Sequence, residues 1–130
     1  MSIRTRTSPR KHYVFVINNP TEQDEIKINQ FSTNEWCQYM CYQHEVGENG
    51  TYHLQGYVAL KSKKRFAQLH QWFPHAHFEA SRGSPQQNLR YCSKLETRAS
   101  LLQWSRHFLR LPMSEGNVGP FEFGEIPPRS

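Results

Sequence analysis

His53 and Gln55 lie two apart in a run of strand-forming residues, Tyr52 to Leu60, so their side chains leave the same face of a β-strand. Leu54, Gly56 and Val58 then point the other way, toward a core. Glu45 ends the preceding aromatic-rich run, Trp36 to Glu45. The turn residues Gly47-Glu48-Asn49-Gly50 between the two runs predict an antiparallel hairpin that brings Glu45 across from His53. An imidazole, a carboxylate and a carboxamide oxygen can thus converge on one point. That donor set, free of thiolate, suits a divalent ion of the Mn or Mg kind and leaves positions for water or a phosphate oxygen. Glu48 is the alternative carboxylate, in the turn where solvent competes for it. A His-x-Gln pair on a strand is commonly no more than a polar sheet face.

Tyr91-Cys92-Ser93-Lys94 carries a second kind of chemistry. On a helix, Tyr91 and Lys94 share a face, and Gln87 at i−4 joins them. A phenol with an ordinary pKa of about 10 is ionised in roughly one molecule in a thousand at pH 7, a handicap of about 4 kcal/mol for an attack that needs phenolate. A neighbouring ammonium group or a phosphate-bound metal is a means of lowering it. The plainer alternative is an amphipathic helix with a half-buried tyrosine and a solvated lysine.

The elements that would carry these groups follow from local patterns. His12 to Asn18 is β-branched and aromatic, and Asn18-Asn19-Pro20 ends it with turn chemistry. Thr21 can cap a helix whose first turn is acidic, with Asp24 three residues on and Ile26, Ile28 and Phe31 as an imperfect apolar face. Lys64 to Phe73 has helical spacing closed by Pro74, and His75 to Ser81 alternates as a half-buried strand should. Ser84-Pro85-Gln86-Gln87 is a helix start, with Ser84 as cap and Gln87 at the capping-box position, so the next helix carries Tyr91 and runs on toward Ser100. Leu101 to Leu111 is apolar enough to pack as a further helix or irregular segment, and Phe121 to Phe123 reads as a short edge strand. The order β-α-β-β-α-β-α predicts an α+β domain in which helices cover an antiparallel sheet.

Composition sets outer bounds. A chain of 130 residues is enough for one modest core. Apolar content is low at 36%, but eight Phe, six Tyr and three Trp supply core area. No apolar run approaches the roughly 20 residues that cross a bilayer, and no signal-peptide pattern opens the chain, so a soluble, intracellular protein is expected. Cys37, Cys41 and Cys92 match no zinc or redox spacing and read as buried thiols. The net charge of +5 is clustered, at Arg4, Arg6, Arg10 and Lys11 and again at Lys61, Lys63, Lys64 and Arg65. Such clusters suit a polyanion.

Phe15-Val-Ile-Asn-Asn-Pro-Thr21, His53-Leu-Gln-Gly-Tyr57 and Tyr91-Cys-Ser-Lys94, in that order and spacing, resemble the three motifs of the endonuclease domain of replication initiators from circoviruses, nanoviruses and related viruses with circular single-stranded DNA. His77-Phe-Glu79, Arg82-Gly83 and Gly119-Pro-Phe-Glu-Phe-Gly124 are similar to the same family. The parent superfamily is named for His-hydrophobe-His (HUH), and Gln55 stands here in place of the second histidine, as is usual in the circovirus-like branch.

The resemblance implies an RRM- or ferredoxin-like fold with about five strands, spanning 12–124 after a flexible basic arm, 1–11, and before a tail, 125–130. No Gly-x-x-x-x-Gly-Lys-Ser/Thr loop is present, so the helicase domain common in relatives is expected in a longer protein, which could oligomerise through regions beyond this chain. By matched position, Tyr91 is the nucleophile, Lys94 its assistant, and Glu45, His53 and Gln55 the ligands of Mn2+ or Mg2+. Origin DNA, a single-stranded stem-loop, would be held by Asn18 and Asn19 of the first motif, by Lys61, Lys63, Lys64, Arg65 and Arg82, and by Gln87. Bases would stack on exposed aromatics of the sheet, basic loops would neutralise phosphates, and the place of action would be the host nucleus. Two other readings stay open: a non-catalytic single-stranded RNA or DNA binder on a similar sheet, and a structural or regulatory viral module that binds host protein.

Overall fold

The computed structural model describes residues 8–47, 49–81, 83–92 and 120–127. The β-branched and aromatic run near the start forms β1 (Arg10–Asn18), and Asn19 then turns the chain with a positive φ of 48°. Thr21 caps α1 (Glu22–Phe31) through a capping box with Asp24. The hairpin follows as β2 (Cys37–Val46) and β3 (Tyr52–Lys64), then α2 (Phe66–Trp72), β4 (His77–Ala80), α3 (Pro85–Tyr91) and β5 (Phe121–Gly124). Among the described residues the strands make one antiparallel sheet in the order β4-β1-β3-β2-β5, so the α+β expectation holds.

β3 is central, and residues Leu54 to Leu60 are buried without interruption because both faces of the sheet are covered. One face meets α1 and α2. Phe15, Ile17, Met40, Leu54 and Val58 pack there with Ile28, Phe31, Leu69 and Phe73 in the main core. On the other face a smaller cluster joins Tyr39, Cys41, Tyr57 and Ala59 to Leu89 in α3 and Cys92 at its C-cap. All three cysteines are free and buried, and burial pushes the Cys37 thiol up to about 11, so the reading of inert thiols stands.

Several element boundaries depart from expectation. β1 begins at Arg10 rather than His12, and β3 runs past Leu60 to Lys64, because Arg10 pairs with Lys64 and Tyr13 donates its hydroxyl to the Lys64 carbonyl. Helix α1 buries Asp24 and Glu25 with Ile28 and Phe31, leaving Ile26 at the margin of its inner stripe. Glu25 is satisfied inside the protein: its carboxylate accepts from the Tyr42 hydroxyl at 2.8 Å and lies 3.0 Å from His44 Nε2. The helix expected beyond Tyr91 and the segment Leu101 to Leu111 lie outside the described residues. No described helix is long and apolar enough to cross a membrane.

Candidate active site

In an antiparallel pair, residues directly opposite each other share a face. The register sets Glu45 opposite His53 and Gln43 opposite Gln55 across β2 and β3, while Asn18 and Val16 of β1 stand opposite His53 and Gln55 on the other side. Asn18, Gln43, Glu45, His53 and Gln55 therefore share one end of one face. That face is the one over which α3 packs, since Cys41 and Tyr57, next along the same strands, lie in the cluster with Cys92 and Leu89.

Glu45 Oε1 lies 2.9 Å from His53 Nε2. The Glu45 side chain is 2% exposed and that of His53 17%, so the pair opens to solvent on the histidine side. The other carboxylate oxygen, Oε2, accepts from Gln43 Nε2 at 2.8 Å. Gln55 is buried next to His53 along β3.

These donors fit a hard divalent ion. An imidazole nitrogen and a carboxylate oxygen, here 2.9 Å apart, are donor types that such an ion takes. The neighbouring thiol of Cys41 is covered by α3 and offers nothing softer. Imidazole, carboxylate and carboxamide are then the available set, from His53, Glu45 and Gln55, the residues that would hold such an ion.

α3 is placed by its own cap and by a cross-link to the sheet. The Ser84 hydroxyl accepts from Gln87 N at 3.1 Å, and Gln87 Oε1 accepts from Ser84 N at 2.8 Å. Asn88 Nδ2 donates to Ser81 Oγ at 2.7 Å, tying the helix to the end of β4. Tyr91 ends this helix. The Tyr91 side chain lies outside the described residues, as do Lys94, Arg82 and Glu48.

Residues 10–95 match the model of the family described as "Putative viral replication protein". The chain belongs to this viral replication protein family. Its sequence is 46% identical over 94 residues to the "Replication-associated protein" of Pigeon circovirus, covering 69% of this chain and 29% of that protein. It is 37% identical over 118 residues to the "Master replication protein" of Banana bunchy top virus, covering 88% and 31%. The "Replication-associated protein" of Porcine circovirus 1 is 33% identical over 94 residues, covering 72% and 30%. The chain spans about 30% of the length of these relatives. The resemblance read from three short motifs is thus matched along the greater part of the chain.

Other members of the expected site are spread out. Asn18 is exposed beside His53, and Asn19 uses its backbone N–H on the Tyr52 carbonyl at 2.7 Å. Lys61, Lys63 and Lys64 lie at the opposite end of β3 from His53, on strand rather than in loops, with Arg65 capping α2. Lys64 Nζ sits 4.1 Å over the Trp36 ring. The exposed aromatic platform expected on the sheet is not found among the described residues. Tyr39 and Tyr57 on the site face are buried under α3, and burial raises both phenols above their ordinary pKa. Among the described residues the exposed large apolar side chain is Phe66 on α2. Gln43 went unnoticed in the sequence, although it stands two residues before Glu45 and the same alternation rule that joins His53 to Gln55 would have found it.

Proposed function

We propose that this domain nicks single-stranded DNA at a viral replication origin and later rejoins it, with Tyr91 as nucleophile and Glu45, His53 and Gln55 as holders of Mn2+ or Mg2+. The observation that carries this reading is the Glu45–His53 pair, with Gln55 beside it, on the sheet face over which the Tyr91 helix packs.

When bound, such an ion supplies Lewis-acid chemistry to a phosphate oxygen and neutralises charge. The Tyr91 phenolic oxygen forms the new bond to phosphorus and gives up its proton, while the bond to the 3′-oxygen breaks and that oxygen departs as a hydroxyl. The products are a 5′-phosphotyrosine and a free 3′-hydroxyl that a polymerase can extend. Because the tyrosyl ester keeps the energy of the phosphodiester, a later 3′-hydroxyl displaces Tyr91 and reseals the strand without ATP. Lys94 assists by lowering the phenol's pKa or positioning the phosphotyrosine. Asn18, beside His53, would meet DNA at the site, and the distant Lys61, Lys63, Lys64 and Arg65 would meet phosphates further along. The domain would act within a longer replication protein in the host nucleus.

Incubation with an origin stem-loop oligonucleotide and Mn2+ is expected to give an SDS-resistant protein–DNA adduct, lost with Tyr91→Phe and with chelator. An adduct that survives Tyr91→Phe refutes the assigned nucleophile. A non-catalytic single-strand binder would retain the DNA and form no adduct in any variant.

A further inference from the structure

Gln43 is completely buried, and a carboxamide removed from water needs its hydrogen bonds made within the protein. Its Nε2 donates to Glu45 Oε2 at 2.8 Å, while Glu45 Oε1 is the oxygen that lies 2.9 Å from His53 Nε2. The two carboxylate oxygens therefore have separate duties. The donor is also neutral, so it directs Glu45 without cancelling the charge that attracts a cation, as a lysine or arginine in its place would do.

We propose that Gln43 is a positioning residue that makes Glu45 a one-oxygen ligand, holding Oε2 back and presenting Oε1, and so selects Mn2+ or Mg2+ over Ca2+. The inference rests on the metal-holding role given to Glu45, His53 and Gln55 above. A small octahedral ion takes single oxygens on bonds of about 2.1 Å, whereas Ca2+ takes longer bonds, of about 2.3–2.6 Å, and often both oxygens of one carboxylate. With Oε2 engaged by Gln43, a second metal–oxygen bond competes with a buried hydrogen bond. Partners of this kind commonly set metal affinity by ten- to a hundredfold.

The test is direct ion binding to the 130-residue chain, with free Mn2+ followed by electron paramagnetic resonance and Ca2+ by competition. Gln43→Met keeps the volume and removes the donor. Its Mn2+ dissociation constant should rise about tenfold or more, with Ca2+ binding changed less, so that the preference narrows. DNA cleavage should return when Mn2+ is raised to saturation. An unchanged Mn2+ affinity and Mn2+/Ca2+ ratio would overturn the proposal, and so would a parallel loss of both ions, which marks a merely structural role. If circular dichroism shows Gln43→Met unfolded, Gln43→Leu, which also lacks the donor and adds no charge, is read by the same ratio. Equal Mn2+ binding by the unaltered chain and by His53→Ala would instead remove the metal site itself.

Discussion

Glu45 and His53 meet across two strands in a contact that a sheet could use for stability alone, so the test of the pair is what its loss does to chemistry rather than to folding. The His53 side chain is partly exposed while Glu45 is buried, and removing the imidazole leaves Glu45 with its Gln43 donor. His53→Ala is accordingly expected to abolish cleavage while leaving single-stranded DNA affinity nearly intact, as measured by adduct formation and by fluorescence anisotropy on the same preparation. Unchanged nicking would move the metal elsewhere. The facing of Glu45 and His53 was legible because a tight turn and strict alternation determine register. The sequence offers Gln87 both as a cap partner and as a DNA contact, and its carboxamide oxygen is engaged in the capping box of α3. Local backbone geometry thus claims that oxygen first.

At the scale of elements, β3 decides most, because it carries His53 and Gln55 on one face and the main core on the other. Gly56 is paired with Phe15 of β1, and a Cβ built at Gly56 would fall 2.1 Å from the Phe15 ring. That ring is itself buried against Phe73 and Phe78 and has no free space to retreat into. Gly56→Ala should therefore destabilise the domain by about 1–3 kcal/mol, seen as a lower urea midpoint, with mixed effects on the site that Gln55 borders. The far end of β3 was not legible. Lys61 to Lys64 is poor strand sequence, yet pairing with Arg10 draws it into the sheet, an instance of neighbours overriding local preference. Helix α1 shows the same limit, since nothing in a lone acidic turn announces that Glu25 will be buried against Tyr42 and His44.

Across the described residues, the lysines of β3 and the candidate active site occupy opposite ends of the central strand. Lys61 follows His53 along β3 by roughly 25 Å at about 3.3 Å per residue. Lysines so far from the reacting phosphate can strengthen binding but not the chemical step. The double variant Lys61→Ala/Lys63→Ala is expected to weaken DNA binding alike for all sequences and to flatten the salt dependence by about 0.7 for each lost phosphate contact. The cleavage rate at saturating DNA should stay unchanged, and a steep fall there would place these lysines at the active site instead. By itself the sequence determined the order and kind of elements, the caps, the hairpin and the facing of Glu45 and His53. All of these depend on neighbours close along the chain and on the fixed periods of strand and helix. Only the tertiary structure decided which strand lies at the centre, that α3 covers Tyr39 and Tyr57 so that no stacking surface remains there, and that Gln43 holds Glu45. Those outcomes depend on contacts between segments distant along the chain, where burial of apolar surface, not local pattern, chooses the arrangement.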